Sequence, residues 1–406
     1  MGELMNQIPA MMAGKELTEA LTNLPTYDRD VINKNVVERL MQLEDIYHIY
    51  IPSNISVEVY MKLYISIVRG LKNKQTAQAA VMQNRNYNPM KREYSGIITG
   101  ADSFTILGAS GIGKSTAIAK AIELATQGQL IEAGSTTIIP CIQVQCPFDC
   151  SVKNMLLNIL ATIDKTIGSN YYSRAIRSRA TVDILISSVS NVLLNRVCVL
   201  IIDEIQNVVN HRTGDSLVGA LVQLINNSGI TVCMVGIEES EQFFRKTDYL
   251  ARRAVGLRFQ RMDYDAAFID FCRIIYGYQY TKMAEPFTER HSLWLYEHTN
   301  GVVALVVALI HDAQEIAILE GSDMLCIAAL DAAYKKRYEL IKGCKQAKIV
   351  QRNTKRKGIS ADIKADIETD MKAPAYSTVI KMAKAQDLDL ATAVKAHFKV
   401  LEVSLC

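Results

Sequence analysis

GASGIGKST, residues 108–116, satisfies the pattern G-x-x-x-x-G-K-[ST]. The apolar run FTIL precedes it at 104–107, and the helix-forming segment TAIAKAIELA continues from residue 116. Glycines let such a loop fold back so that its backbone N–H groups point inward, and the N-terminus of the next helix adds positive potential. This stretch therefore predicts a phosphate-binding loop between a strand and a helix.

The same loop predicts which side chains contact a nucleotide. We expect Lys114 to reach the β and γ phosphates of ATP and the hydroxyl of Ser115 to ligate Mg²⁺. The whole loop is the expected nucleotide-binding segment, which comprises Gly108, Ala109, Ser110, Gly111, Ile112, Gly113, Lys114, Ser115 and Thr116.

Two adjacent acids follow a second apolar run in VCVLIIDEIQNV, residues 197–208. Ligands of open α/β sheets bind at the carboxyl ends of strands, which is where Asp203 would hold Mg²⁺. Glu204, one residue further on, would act as the general base that polarises the attacking water. The alternative is that both acids only end the strand, and the upstream loop favours the catalytic interpretation. The pair indicates an ATPase.

Short apolar runs alternate with helical segments through the middle of the chain. They predict an α/β fold with a five-stranded parallel sheet flanked by helices, the strands being 104–107, 140–145, 197–202, 231–235 and 255–259. After residue 263 only helical periodicity remains, which predicts a small all-α lid. We divide the chain into an N-terminal helical extension (1–95, with an amphipathic helix at 57–71), an α/β ATPase core (96–262), the lid (263–341), and a basic linker with a C-terminal tail (342–406).

Composition and net charge limit which binding partners and cellular compartments are possible. The chain has 406 residues, 49% of them hydrophobic, and a formal net charge of +3, so any DNA contact must come from local clusters of Lys and Arg. Nine cysteines without a CxxC pair predict reduced thiols packed in the core. Neither a targeting pattern nor a membrane-spanning run is recognised, which predicts a cytoplasmic protein without a membrane partner.

Several segments in this order resemble TnsC, the AAA+ regulator of cut-and-paste transposons, including CRISPR-associated ones. They are GASGIGKST, QVQCPFDCSVKNMLLNILATID, VLIIDEIQNV, VCMVGIEES and YLARRAVGLRF. The resemblance covers about residues 95–340. It is more specific than a resemblance to AAA+ proteins in general, because the CP-x-D-x-S-x-K, DEIQ and ARR-x-x-G elements are typical of TnsC and its relatives TniB and MuB.

The resemblance implies an AAA+ protein that polymerises on double-stranded DNA with bound ATP, as a helical filament or a ring, of seven subunits for example. It would connect a target-selection protein of the TniQ or TnsD type to the transposase, and ATP hydrolysis would control disassembly. An arginine of the neighbouring subunit completes the ATP site in such assemblies. Arg252 and Arg253 occupy that position here, although a surface salt-bridging motif is the alternative for this pair.

DNA contacts require cations along one face of the protein. The resemblance places DNA-facing elements between the second and third strands, where Lys153, Arg174, Arg177 and Arg179 lie. A solvated helical face is the alternative interpretation for each of them. The basic stretch 342–357 is a second candidate surface for DNA or an acidic partner, or simply a linker.

Two positions depart from the family pattern. Ile237 stands where relatives carry a polar residue after the fourth strand, and the segment 299–304 lacks the arginine that many AAA+ proteins place at the third lid helix. Two other interpretations stay open. A replication initiator or helicase loader would carry a winged-helix domain after the lid, and a signalling NTPase would carry an additional sensor or repeat region.

Overall fold

The structure, a computed structural model, describes residues 3–75, 103–134, 136–210, 214–241, 244 and 256–337. Met1–Tyr334 form one compact unit. The linker and tail predicted at 342–406 lie outside the described residues, as do Arg252 and Arg253. The division of the chain into four domains stays a prediction.

A six-stranded sheet forms the centre of this unit. Five strands are parallel in the order β3, β4, β5, β1, β6, and β2 pairs antiparallel with β3 at one edge. The five parallel strands confirm the predicted fold class. The short β2 was not predicted, because only one of its three side chains is buried and it has no apolar run. The strands are β1 (Ser103–Gly108), β2 (Ile131–Ala133), β3 (Thr136–Gln145), β4 (Val197–Asp203), β5 (Thr231–Gly236) and β6 (Leu257–Phe259).

Helices cover both faces of the sheet. On one face α5, α7 and α9 share an apolar cluster with the sheet, and on the other face α3 and α4 do so. The N-terminal and core helices are α1 (Gly14–Leu21), α2 (Val36–Leu43), α3 (Asn54–Gln75), α4 (Lys114–Thr126), α5 (Val152–Ile167), α6 (Tyr171–Arg177), α7 (Val182–Arg196), α8 (Gln206–Asn210) and α9 (Gly214–Ser228).

Strand β4 is buried along its whole length. Leu200 and Ile202 belong to the cluster with α5, α7 and α9, whereas Val199 and Ile201 belong to the cluster with α3 and α4. Each such side chain contributes roughly 1.5–3 kcal/mol relative to exposure in water. Because both faces of this strand are buried, its sequence is one continuous apolar run.

The predicted amphipathic helix of the N-terminal extension is α3, which is longer than the predicted range and packs on the sheet. The helix lies directly on β4, since a Cβ on Gly70 would come within 2.6 Å of the Cβ of Cys198. Burial raises the pKa of the Cys198 thiol to about 11. All seven cysteines in the described part of the chain are free thiols.

The C-terminal part is a helical lid. It comprises α10 (Ala266–Tyr276), α11 (Glu289–Thr299), α12 (Val303–Glu320) and helical residues 327–337. The lid also contains a parallel pair of two-residue strands, β7 (Met283–Ala284) and β8 (Met324–Leu325), which the prediction of an all-α lid missed. Two residues are too few to produce a strand signal in a sequence.

None of the described helices is, by itself, both long enough and apolar enough to cross a bilayer. The pair α11 and α12 meets these criteria only in combination, across a bend of 118°. Most residues of α12 are buried inside the protein.

The N-terminal segment contacts the lid as well as the sheet. Arg39 of α2 donates to both carboxylate oxygens of Asp323, at 2.6 and 3.0 Å. The hydroxyl of Tyr278 donates to the carbonyl oxygen of Pro25 at 3.0 Å. The N-terminal segment therefore connects the lid to the α/β core.

Candidate nucleotide-binding site

The loop between β1 and α4 depends on two of its glycines. A Cβ on Gly108 would lie 2.4 Å from the carbonyl oxygen of Phe259 on β6, so the two backbones approach too closely for a side chain. Gly113 has φ +90°, which other residues rarely adopt, and it directly precedes α4. The loop therefore turns sharply and starts the helix with its free N–H groups towards the carboxyl end of the sheet.

Lys114, the first residue of α4, folds back over the loop. Its Nζ donates to the carbonyl oxygens of Gly108 and Ala109, at 2.7 and 2.8 Å. Burial lowers the pKa of Lys114, and the charges of Asp203, Glu204 and Glu238 act in the opposite direction. The structure thus brings the loop lysine and the two acids at the end of β4 into one electrostatic environment.

Asp203 ends β4 with its side chain almost fully buried. The Nε2 of Gln143 on β3 donates to one carboxylate oxygen at 3.1 Å, and the backbone N–H of Glu204 donates to the other at 2.9 Å. These contacts hold the carboxylate in one orientation. A carboxylate and the exposed hydroxyl of Ser115 are the hard oxygen ligands that Mg²⁺ prefers, so these residues fit the ion.

The backbone turns at Glu204, which has φ +59° although it is not a glycine. This left-handed conformation is uncommon for such a residue and is typical of functional turns. As a result the carboxylate of Asp203 is held beside Gln143 of β3, whereas the side chain of Glu204 is exposed. The Nε2 of Gln206 donates a hydrogen bond to the Oε2 of Glu204.

The sequence analysis assigned no role at this site to three side chains that the structure places there. Gln143 orients Asp203, Gln206 contacts Glu204, and Glu238 acts on Lys114 from the loop after β5. The signal that could have found Gln143 is its polarity between the apolar residues Ile142 and Val144 of β3. Gln206 stands in the DEIQ element, but neither that element nor the sequence around Glu238 indicates the contact, which depends on how the strand ends are placed.

The lid begins against the phosphate-binding loop. The backbone N–H of Ala304 in α12 donates to the carbonyl oxygen of Gly111 at 2.9 Å. Gly301 has φ +70°, and a Cβ there would meet the carbonyl oxygen of Met262 at 1.9 Å. The segment 299–304, which lacks an arginine, therefore reaches the loop through its backbone.

Comparisons with known proteins agree with this geometry. A family model described as bacterial TniB protein matches residues 98–264. This part of the α/β core is similar to the TniB family. The matched range contains the phosphate-binding loop, both acids after β4 and the loop after β5. The P-loop motif and the acids at the end of β4 thus lie in the part of the chain that is similar to the TniB family.

Solved structures resemble the chain at low identity. The Aeropyrum pernix ORC2 protein in ADPNP-ADP complexes has 15% identity and a TM-score of 0.43, with coverage of 76% of this chain and 71% of that one. The Aeropyrum pernix ORC1 protein in complex with DNA has 15% identity and a TM-score of 0.41, with coverage of 79% and 81%. Cdc6p from Pyrobaculum aerophilum has 13% identity and a TM-score of 0.41, with coverage of 79% and 77%. The comparison with curated proteins gave no match.

The predicted DNA-contacting residues are all exposed. Lys153 is in the first turn of α5, and α6 carries Arg174 and Arg177. Arg179 follows α6 with φ +49°. The carboxylate of Asp164 accepts hydrogen bonds from the first two backbone N–H groups of α6, at 2.9 and 2.8 Å, so it attaches this helix to the end of α5.

Proposed function

We propose that this protein is an ATP-dependent regulator of transposition that assembles on double-stranded DNA. In this role it connects a target-selection protein of the TniQ or TnsD type to the transposase, and hydrolysis of ATP releases the assembly. The carrying observation is that Lys114, after β1, lies close enough to Asp203 and Glu204, at the end of β4, for their charges to act on it, within the residues that match the TniB model.

The chemistry of this proposal is attack of water on the γ phosphate. A bond forms between the water oxygen and phosphorus, the bond to the bridging oxygen breaks, and ADP leaves with that electron pair. Glu204 takes the proton of the water, since its exposed carboxylate follows directly on the carboxylate of Asp203. Lys114 leaves its carbonyl partners and holds the β and γ phosphates.

A magnesium ion supplies positive charge that offsets the charge of the phosphates. Asp203 and Ser115 are the residues that we propose to hold it. We assign Gly108 to Thr116 to the phosphates, because the loop N–H groups and the start of α4 face the same edge of the sheet. Arg252 or Arg253 of an adjacent subunit would complete the site, and both lie outside the described residues.

Binding of duplex DNA would use the cationic side of α5 and α6. Lys153, Arg174, Arg177 and Arg179 are exposed there, and repetition of this surface in a filament or ring would follow the phosphate backbone. Contacts to phosphates carry no sequence information, so we propose binding without sequence preference.

The central test images the full-length protein with linear duplex DNA and a slowly hydrolysed ATP analogue. Regular filaments or rings on DNA are expected only when nucleotide is present. In parallel, release of phosphate from ATP is measured for the parent, Glu204→Gln and Lys114→Ala. Glu204→Gln should retain ATP and keep the assemblies, while its turnover falls by about 100-fold or more. Nucleotide-independent monomers on DNA, together with parental turnover in Glu204→Gln, would contradict the proposal.

The DNA surface has its own test. Charge reversal in Arg174→Glu/Arg177→Glu should abolish duplex binding and weaken its dependence on salt. A matched control is Arg29→Glu/Arg290→Glu, which makes the same change of net charge at exposed positions away from α6. Equal binding by the two double variants would reject the assignment of this surface.

A further inference from the structure

Gln206 opens α8 two residues after Glu204, and its amide has only one orientation that suits this neighbour. The carboxylate of Glu204 accepts hydrogen bonds and cannot donate them when ionised. The amide must therefore present its Nε2 to Glu204, as observed, and turn its carbonyl oxygen the other way. The contact occupies Oε2 of Glu204 and leaves Oε1 open to a water.

The inward side of this amide faces the loop after β5. The Oε1 of Gln206 and the hydroxyl of Ser240 are both buried, and neither has a hydrogen-bond partner within the described part of the chain. Both atoms lie within 3.1 Å of the point that a Cβ on Gly236 would occupy. A side chain at residue 236 would meet both polar groups, so the glycine leaves the space beside them free.

The backbone around Gln206 is anchored on two sides. The N–H of Ile205 donates to the carbonyl oxygen of Val235 on β5 at 2.9 Å. The side-chain amide of Asn207 donates to the carbonyl oxygen of Cys146, just after β3, at 3.0 Å. Contacts to both strands that flank β4 therefore fix the backbone position of Gln206, which places its side chain next to Glu204.

We propose that Gln206 is a positioning residue for the general base Glu204, a role that rests on the proposed ATP hydrolysis. Its amide donates to Glu204, and its Oε1 lies near Gly236, just before the loop in which Ile237 provides no polar side chain. A base that is oriented by a third group is the usual arrangement for activating a nucleophile.

Two substitutions test this role in the full-length protein. Gln206→Ala should lower kcat for ATP by about tenfold or more, while KM stays within about twofold, because the substrate is not touched. Gln206→Glu keeps the size of the side chain but, when ionised, has no N–H to donate to Glu204, so its kcat should fall at least as far while KM again stays within about twofold. A merely structural role would not separate kcat from KM in this way.

The matched control is Gln223→Ala, which removes an exposed amide from α9 and should keep the parental kcat and KM. Parental kcat in both Gln206 variants would overturn the inference and leave the proposed hydrolysis intact. A parent that releases phosphate no faster than Lys114→Ala would instead overturn the proposed function, and the inference with it. A loss of kcat that is matched by a loss of thermal stability and a change of KM would also reject a positioning role.

Discussion

The pair of Arg39 and Asp323 should carry an unusually large share of the attachment between the N-terminal segment and the lid. The side chain of Arg39 is 3% exposed and that of Asp323 is 15% exposed. Arg39 makes two hydrogen bonds to the carboxylate and a third, at 3.1 Å, to the carbonyl oxygen of Tyr280. Arg39→Met keeps much of the volume of the side chain but removes every one of these bonds.

The expected cost follows from what the substitution leaves behind. Removal of one partner from a buried ion pair typically costs about 3–5 kcal/mol, because the remaining charge is unpaired. Asp323 keeps a hydrogen bond from the backbone N–H of Lys282 at 3.1 Å, and the Nζ of that lysine lies 3.8 Å away. We therefore expect a loss near the lower end, about 3 kcal/mol of unfolding free energy.

Urea unfolding of the full-length chain measures this loss. The double variant Arg39→Met/Asp323→Asn completes a cycle, and it should regain part of the loss because no carboxylate is left unpaired. Lys15→Met serves as the control, since Lys15 pairs with Glu19 at an exposed site and should leave the midpoint unchanged. A loss below about 1 kcal/mol for Arg39→Met, the range of exposed pairs, would refute the reasoning.

Three further outcomes follow from the same contacts. Burial alone would raise the pKa of Asp323, but hydrogen bonds from Arg39 and from the backbone of Lys282 lower it below its usual value. This stabilisation is complete above the unfolded pKa of about 3.9 and is lost as pH falls through the lower folded value. The difference in stability between the parent and Arg39→Met should therefore shrink in that window, as followed by urea unfolding at several pH values. Gly301→Val should destabilise the lid by more than about 2 kcal/mol, because its Cβ would overlap a backbone oxygen and its φ is positive. Asp164→Ala should release α6 and weaken duplex binding while ATP turnover without DNA stays parental, as measured by fluorescence anisotropy and phosphate release.

The parallel strands were predictable because burial on both faces leaves a continuous apolar run. In β4 every residue is buried, so the run VCVLII and its end at Asp203 could be read directly. The edge strand β2 and the pair β7 and β8 left no such trace. These strands have only two or three residues, which is too short for a periodic pattern to be visible in the sequence. The formation of β7 and β8 also depends on pairing between residues that are distant in the chain.

The site was predictable where its chemistry is local in sequence. A phosphate-binding loop needs glycines and a lysine at fixed spacing, and Gly113 and Lys114 take the expected positions. The roles of the N-terminal segment were not predictable in this way. Its amphipathic helix α3 indicated one buried face, but nothing in the pattern indicated that this face covers β4 or that Arg39 reaches the lid.

By itself the sequence determined the phosphate-binding loop, the buried strand that ends in two acids and the parallel α/β architecture, since each depends on residues adjacent in the chain or on a simple period. Only the tertiary structure decided which polar groups meet at the strand ends. Gln143 reaches Asp203 and Gln206 turns its amide between Glu204 and the loop after β5. Such contacts depend on the strand order, which places β4 between β3 and β5, and strand order arises from packing that no local pattern encodes.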